Sequence, residues 1–170
     1  MQDHALGAAE DRVRAAQSGD VLAMDALLTE LAPWVGRLCA AIALDRGEDA
    51  MQETLIVVLR NLPTLREPAA LRAWVRRIAV RQALRTVRDP RADSVAEPPD
   101  PMLEVDLDTS IEVREVLLRL PPAQRAVLVL RHVEDLSEED TAAVLGVPEG
   151  TVKSGLHRAR ARFRAEWEEG

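Results

Sequence analysis

An acidic segment that contains several prolines, near the middle of the chain, limits what this sequence can fold into. Residues 89–110 read DPRADSVAEPPDPMLEVDLDTS, with four prolines, one Arg and little hydrophobic periodicity. Proline lacks a backbone N–H and restricts the residue before it, so this composition suits an extended linker. A structureless stretch of this length is unusual inside one compact domain. The sequence therefore predicts two domains, residues 1–89 and 110–170, joined by a flexible acidic linker at residues 90–109.

Both parts that flank this linker show the periodicity of helices. Apolar residues recur at three- and four-residue intervals, for example in VLAMDALLTELAPWVGRLCAAIAL, where Pro33 is a possible kink or break. No strand-like alternation or hairpin turn stands out. Aromatic residues make up 2% of the chain, so a core must be built from aliphatic side chains, which suits packed helices. The predicted fold class is all-α, with two small helical domains.

The ends and the apolar stretches of the sequence indicate a cytoplasmic protein without membrane insertion. The start, MQDHALGAAEDR, lacks the basic and apolar regions of a signal peptide. No apolar run approaches the roughly 18 residues expected of a membrane span. The single Cys39 lies in the apolar run RLCAAIAL and has no second Cys to pair with, so we interpret it as a buried structural thiol.

An enzyme is disfavoured by the arrangement of the polar residues. The three His residues show no ligand spacing, and neither a Gly-rich phosphate loop nor a nucleophile–base pair is suggested. Glu48, Asp49 and Glu53 share a predicted helix, but no further ligand completes a metal site. We therefore predict no catalytic residue, no metal and no cofactor.

The charge of the chain is unevenly distributed. The net charge is −7, yet residues 1–89 contain twelve cations and twelve acids, and residues 111–170 contain nine and eleven. Residues 90–110 contain six acids against one Arg. Within this acidic protein, residues 71–88 contain six Arg and no acid, and residues 146–164 contain five Lys or Arg and one acid. These two local cationic helices are candidates for contact with a polyanion.

The second cationic stretch belongs to a predicted helix-turn-helix. Ser137 and Asp140 form a capping-box pattern at the start of a short helix, SEEDTAAVL. Gly146 can take the left-handed conformation that ends a helix, and Pro148 can open the next helix, which runs to about Trp167. A short helix, a glycine turn and a longer basic helix are typical of DNA-binding helix-turn-helix units.

The pattern of the longer helix supports a recognition role. Val152, Leu156, Ala159 and Phe163 share a face that is expected to pack against residues of the short helix, namely Ala142, Val144 and Leu145. A recognition helix needs such an apolar anchor behind short polar and cationic side chains. The simpler alternative is a solvated basic face on a structural helix. The side chains expected to project outward are Lys153, Ser154, His157, Arg158, Ala161 and Arg164.

Two sets of motifs resemble bacterial sigma factors, especially the extracytoplasmic-function (ECF) group. LPPAQRAVLVLRHVEDLSEEDTAAVLGVPEGTVKSGLHRARARFR is similar to the fourth conserved region of the family, including GTVKS and HRAR. EDAMQETLIVVLRNL is similar to the second region, where the family has D-x-x-Q-E-T. LRAWVRRIAVRQALRTVR looks like the helix that follows that element. The two sets occur in the expected order around a linker.

The resemblance implies a non-enzymatic protein that binds core RNA polymerase and promoter DNA, with an anti-sigma factor as a further partner. It assigns contact with core polymerase to Asp49, Gln52, Glu53 and Thr54. It assigns the −10 element to Arg72, Trp74, Arg76, Arg77, Arg81 and Arg85. It assigns the −35 element to Thr151, Lys153, Ser154, His157, Arg158 and Arg160.

The sequence departs from the family pattern at three features, and two of them, Gly155 and the scarce aromatic residues, favour an alternative function. Gly155 stands where the family usually has Arg, and Arg81 replaces the Asn of an I-A-x-N element. Aromatic residues for stacking on unpaired bases are scarce in the first domain, where Trp34 and Trp74 occur. The alternative is a stand-alone helix-turn-helix regulator, or a sigma-like adaptor that does not initiate transcription. The intact D-x-x-Q-E-T element argues against it, because a pure DNA-binding regulator needs no polymerase-docking face.

Overall fold

A computed structural model describes residues 2–88 and 111–168, and the predicted linker at residues 90–109 lies outside these ranges. Within them the structure contains α-helices joined by short turns, including three 3-10 turns, and no strand. The all-α prediction is therefore confirmed. We refer to residues 2–88 as the first domain and to residues 111–168 as the second domain. The helices are α1 (Gln2–Gln17), α2 (Val21–Ala43), α3 (Gly47–Asn61), α4 (Leu71–Arg88), α5 (Ile111–Arg119), α6 (Pro122–His132), α7 (Glu138–Leu145) and α8 (Glu149–Glu168).

Helix α2 is the centre of the first domain and packs against α1, α3 and α4. It begins at an N-cap, where the Asp20 side chain accepts a hydrogen bond from the Ala23 amide at 3.0 Å. Val35, Cys39 and Ile42 lie on its fully buried face. Pro33 lies inside α2, which continues past it, so the break that the sequence allowed there does not occur.

The apolar character of α2 has a consequence for the expectation about membranes. The helical stretch Val21–Thr64 contains an 18-residue window with a mean hydropathy of 1.4. By length and composition alone, this stretch could cross a membrane. The expectation that no stretch would reach this level was therefore wrong. In the structure, 61% of the window is buried inside the protein, so its apolar side chains form core rather than a surface for lipid.

A close approach between two backbones fixes how α3 leaves α2. A Cβ atom added at Gly47, the first residue of α3, would lie 2.5 Å from the Ala40 Cα atom. No side chain fits at that distance, so glycine is required here for contact rather than for its dihedral freedom.

The thiol of Cys39 is buried in the core of the first domain, and this burial raises the pKa of Cys39 to about 12. The interpretation of Cys39 as a buried structural thiol is confirmed.

The N-terminal helix α1 was not singled out in the sequence, although it contributes to the core. Val13 and Ala16 are buried against the rest of the first domain. The Gln17 side-chain amide donates to the carbonyl of Leu62 at 3.0 Å and to that of Leu65 at 2.6 Å. These bonds tie α1 to the connection between α3 and α4.

Helix α6 joins the second domain to the first. Ala126, Val129 and Leu130 belong to the same buried cluster as the core of the first domain. The buried guanidinium of Arg125 donates from Nε to the Ile42 carbonyl at 2.9 Å. It also donates from Nη1 to the carbonyls of Leu117 at 3.1 Å and Leu120 at 2.9 Å. One cation thus satisfies carbonyls at the C-terminal ends of helices from both domains, where the helix dipole favours positive charge.

Two helical glycines, Gly47 at the close contact of α3 with α2 and Gly155 in α8, provide a matched test of where a side chain can be accommodated. Gly47→Ala should lower the free energy of unfolding by about 1–3 kcal/mol, because the new methyl group overlaps the α2 backbone. Gly155→Ala should raise it by roughly 0.5–1 kcal/mol, because Gly155 lies inside α8 and the added Cβ meets Val127 at an ordinary 3.9 Å. Urea unfolding followed by circular dichroism measures both changes. Changes of the same sign in the two variants would contradict this account.

Candidate nucleic-acid interface

The helix-turn-helix of the second domain is built from the local signals that the sequence contains. The Ser137 Oγ atom accepts a hydrogen bond from the Asp140 amide at 2.9 Å and caps α7. Gly146 ends α7 with φ 68° and ψ 36°, the left-handed conformation predicted for it. Helix α8 follows directly, and the Thr151 amide donates to the Pro148 carbonyl at 2.9 Å. The predicted helix-turn-helix geometry is therefore confirmed.

One face of α8 is anchored in the second domain as the sequence predicted, with differences at Phe163 and Val144. Phe163 is half-buried and stacks on Trp167, with ring centroids 6.1 Å apart. Val152, Leu156 and Ala159 are 1%, 4% and 0% exposed. Val152 and Leu156 pack in a cluster with Ala142 of α7 and Val127 of α6. Val144, which was expected in this contact, instead packs against the core cluster of the first domain. The reason is that α7 lies between α8 on one side and α4 on the other.

The opposite face of α8 carries the residues expected to contact DNA. The side chains of Ser154 and Arg158 bond to their own helix, Ser154 Oγ to the Thr151 carbonyl at 3.1 Å and Arg158 Nε to the Ser154 carbonyl at 3.3 Å. These hydrogen bonds keep both side chains along the surface of α8. The bond of Arg158 uses its Nε atom and not its two terminal guanidinium nitrogens. The structure brings together on this exposed surface Thr151, Lys153, Ser154, His157 and Arg158.

Lys153 is flanked by two acids of the same unit. Its Nζ atom lies 3.3 Å from a Glu149 carboxylate oxygen and 3.6 Å from one of Glu138. The hydrogen bond and charge of Glu149, and then the charge of Glu138, raise the pKa of Lys153. Lys153 is therefore a cation at neutral pH that stands at the surface.

Arg160 lies apart from the other predicted residues of the recognition helix. Its Nε and Nη2 atoms lie 3.3 and 3.2 Å from His132 Nε2 of α6. Partial burial, and then the charges of Arg160 and Arg131, lower the pKa of His132, so its neutral ring can accept a hydrogen bond. Arg160 also lines a largely apolar cavity of about 840 Å³ between the two domains, together with Arg37. The position of Arg160 on α8 therefore places its side chain against α6 and not on the surface formed by Thr151, Lys153, Ser154, His157 and Arg158.

Four of the six residues predicted for the −10 element are exposed cations on α4, and the other two differ. Arg72, Arg77, Arg81 and Arg85 are exposed. Trp74 is half-buried and packs against the core of the first domain, so it contributes more to packing than to an open surface. The other is Arg76, whose side chain is 16% exposed and paired with Glu134 of the second domain.

Trp34 completes the surface around α4, and sequence reasoning did not assign it. The Arg72 guanidinium carbon lies 4.5 Å from the centroid of the Trp34 ring, and that of Arg76 lies 5.6 Å from it. Both distances are within the range of cation–π attraction. The sequence did contain a signal for Trp34. Trp34 and Trp74 are the two aromatic residues of the first domain, so any stacking on unpaired bases there would have to involve one of them.

The acidic surface of α3 contains three of the four residues predicted for polymerase contact. Asp49, Gln52 and Glu53 are exposed, whereas Thr54 is fully buried. The Thr54 hydroxyl donates to the Ala50 carbonyl at 2.6 Å, so Thr54 belongs to the core of the first domain and not to the exposed surface.

Two exposed apolar side chains extend this surface, and the sequence analysis missed them. Ile56 is 38% exposed and Leu59 is 48% exposed. Ile56 follows Glu53 by three residues, and Leu59 follows Ile56 by three, so all lie on neighbouring turns of one helix face. The surface therefore combines acidic, polar and apolar groups, a composition that suits a protein partner.

The exposed positive charges of the two domains suit the binding of an anion. In residues 9–88 and 112–168, no group of three or more His, Cys, Asp and Glu side chains is placed to hold a metal ion. The exposed cationic faces on α4 and α8 are instead suited to phosphate groups, because Arg offers several donors in a planar fork.

Comparison with known protein families matches both domains separately. The sequence model for Sigma-70 region 2 matches residues 27–92, and the model for Sigma-70 region 4 matches residues 110–163. The first match contains α3 and α4, and the second contains the helix-turn-helix. Both therefore cover the elements that carry the candidate surfaces.

Individual proteins agree with these matches. The chain is 38% identical over 121 residues to the ECF RNA polymerase sigma factor SigM of Mycobacterium tuberculosis, an alignment that covers 69% of this chain and 62% of that relative. It is 36% identical over 127 residues to the RNA polymerase sigma-E factor of Streptomyces coelicolor, covering 71% of each chain. The structure is similar to that of the sigma factor RpoE from Bartonella quintana, solved in complex with the anti-sigma factor NepR, with a TM-score of 0.58, 26% identity, and coverage of 85% of this chain and 96% of that one. The chain belongs to the ECF group of RNA polymerase sigma factors.

Proposed function

We propose that this protein is a cytoplasmic sigma factor that binds core RNA polymerase, recognises promoter DNA and thereby directs transcription initiation. The observation that carries the proposal is the presence of two separate cationic faces, on α4 and α8, in the two regions matched to the family. Neither face has the groups of an enzyme active site, and both have the groups that bind a phosphate backbone.

In the proposed mechanism, α8 enters the major groove at the −35 element. Its apolar face is fixed by α6 and α7, so Lys153, Ser154 and Arg158 are presented from a rigid support. Side chains of these types donate to base edges and phosphates in the major groove. Gly155 lies on the flank of the same helix and faces Val127, so it adds no polar contact.

Helix α4 has a different proposed role at the −10 element. Its exposed Arg side chains form a cationic surface that can follow the backbone of a separated strand, and Trp34 offers a ring for stacking. Strand separation needs such a surface, because unpaired bases are stabilised by stacking and by neutralisation of their phosphates. The proposed −10 residues are the exposed Arg72, Arg77, Arg81 and Arg85, together with Trp34 and with Arg76, which is paired with Glu134 in this structure.

The acidic net charge explains why the protein would need a carrier. Non-specific DNA affinity rises with the number of phosphates that a protein neutralises, and a chain with a net charge of −7 is poor at this on its own. Held by polymerase, the two cationic helices would be positioned on the promoter and the overall charge would matter less. The exposed α3 surface of Asp49, Gln52 and Glu53 is the proposed docking site.

The stand-alone regulator is less consistent with these surfaces. A helix-turn-helix regulator has no need for the acidic and apolar face on α3, which Ile56 and Leu59 extend. A protein partner of the anti-sigma class is proposed for this chain because the similar Bartonella quintana protein was solved with one.

The polymerase-docking surface can be tested by reversing one charge. Glu53→Arg should weaken binding to core polymerase by about tenfold or more, because an exposed acid at the docking face becomes a like charge toward a basic partner. Asp25→Arg is the matched control, since it makes the same reversal on the exposed side of α2. Binding is measured by fluorescence anisotropy with labelled protein and purified core polymerase. Equal losses in the two variants would contradict a docking site on α3.

The recognition helix can be tested in the assembled holoenzyme. Replacing Lys153 and Arg158 with Ala should reduce promoter affinity by about tenfold or more and lower the slope of log affinity against log salt by about 1 for each lost phosphate contact. Arg119→Ala on α5 is the control, because it removes an exposed cation whose contact is with Glu166. Promoter affinity is measured at several salt concentrations. An unchanged affinity and slope would remove α8 from the interface.

A further inference from the structure

The two domains meet at a partly buried acid, Glu134. Glu134 lies in the turn between α6 and α7, and its carboxylate accepts from Arg76 Nε at 2.7 Å and from Trp34 Nε1 at 3.0 Å. The Arg76 and Glu134 side chains are 16% and 10% exposed. Both carboxylate oxygens are therefore used by one cation and one aromatic N–H of the first domain.

The turn that carries Glu134 is held in place by its own backbone. The Glu134 amide donates to the Val129 carbonyl, and the Leu136 amide donates to the Leu130 carbonyl, both at 3.0 Å. Asp135 between them adopts a φ of 51° and points outward, exposed. The carboxylate of Glu134 is thus presented to the first domain from a fixed position, whereas that of its neighbour is not.

The groups that hold Glu134 are those that a nucleic-acid strand would use. Arg72 and Arg76 lie over the Trp34 ring, which gives one site with guanidinium donors and an aromatic face. A phosphate oxygen accepts the same charge-assisted hydrogen bonds from Arg as a carboxylate oxygen. A strand placed on this surface and the Glu134 carboxylate would therefore need the same donors.

The contact extends beyond this ion pair. Helix α7 lies opposite α4, and a cavity of about 570 Å³ separates Arg77, Arg81 and Arg85 from the uncharged residues 143–146. Among the residues that the structure describes, the wall of this cavity contains these Arg side chains and no acid. Their charge favours an anion in this space. Within residues 111–168, Glu134 is the acid whose ion pair with α4 the structure shows.

We propose that Glu134 is an internal substitute for a promoter-strand phosphate: it closes the second domain over α4 and competes with DNA for Arg76 and Trp34. The proposal rests on the −10 role proposed for α4. An ion pair removed from water adds little stability over an apolar contact, because desolvation offsets most of the attraction, but loss of one partner leaves the other charge unpaired and destabilises the contact. Such a contact can be replaced by a competing anion, which an apolar contact of the same size cannot. The apparent affinity for the strand is therefore the affinity of the open form multiplied by the fraction of molecules that are open.

The test compares two variants of the full chain that each remove one negative charge. Glu134→Gln removes the charge at the contact, and Asp135→Asn removes it from the exposed neighbour, where Asn tolerates the positive φ. Binding of a fluorescein-labelled single-stranded 12-mer (within the roughly 4–16 nucleotides of a typical single-strand-binding site) is measured by anisotropy without polymerase. Small-angle X-ray scattering measures the radius of gyration. We expect Glu134→Gln to bind about tenfold more tightly and to expand, and Asp135→Asn to match the wild type.

Arg76→Gln separates competition from general loosening. It breaks the same ion pair but also removes the proposed phosphate donor, so it should expand without any gain in affinity. A gain equal to that of Glu134→Gln would overturn the role of Arg76. Equal affinities and radii for Glu134→Gln and Asp135→Asn would overturn the proposal as a whole. Circular dichroism establishes that each variant is folded.

The remaining outcomes distinguish this inference from the proposed function. If Glu134→Gln expands but no variant binds the 12-mer, either alone or in complex with core polymerase, then the −10 role of α4 fails, and phosphate substitution fails with it. If the wild type supports promoter-dependent initiation with core polymerase while Glu134→Gln neither expands nor binds more tightly, the proposed function holds and the inference alone is wrong.

Discussion

The burial of α2 is the constraint on which the rest of the structure depends. This helix packs against α1, α3 and α4 of the first domain and against α6 of the second, so four elements take their positions from it. Its close approach to α3 requires a glycine at position 47, and its C-terminal carbonyl at Ile42 binds the buried Arg125. The surfaces on α3 and α4 face outward because the opposite faces of these helices are committed to α2.

Much of the local structure could be predicted from the sequence, because it depends on signals only a few residues apart. The cap at Ser137, the left-handed Gly146 and the buried stripe of α8 are all of this kind. The error at Thr54 was avoidable on the same grounds. Thr54 is four residues from Ala50 and from Val58, both fully buried, so helical spacing places it on the core face.

The contacts between the domains could not be predicted in this way. Trp34 and Glu134 are one hundred residues apart, and their hydrogen bond exists only once both domains have folded and packed. Arg125 was equally hidden, because a buried cation is indistinguishable from a solvated one until its carbonyl partners are known. The direction of Arg160 also depends on a partner in another helix, His132. Helical periodicity locates such residues on a face, but tertiary packing decides what that face meets.

The closed arrangement treats the proposed partners differently, and this implies an order of binding. Asp49, Gln52 and Glu53 remain exposed on α3 while Arg76 is paired with Glu134. Under the proposed roles, core polymerase can therefore bind the closed protein, whereas the −10 strand cannot bind without displacing Glu134. Since a ligand shifts a conformational equilibrium only by its difference in affinity for the two states, polymerase favours opening only if it also holds the second domain away from α4. A chain whose Arg76 and Trp34 are engaged by Glu134 would then bind the −10 strand on the polymerase, where separation of its domains frees these two side chains.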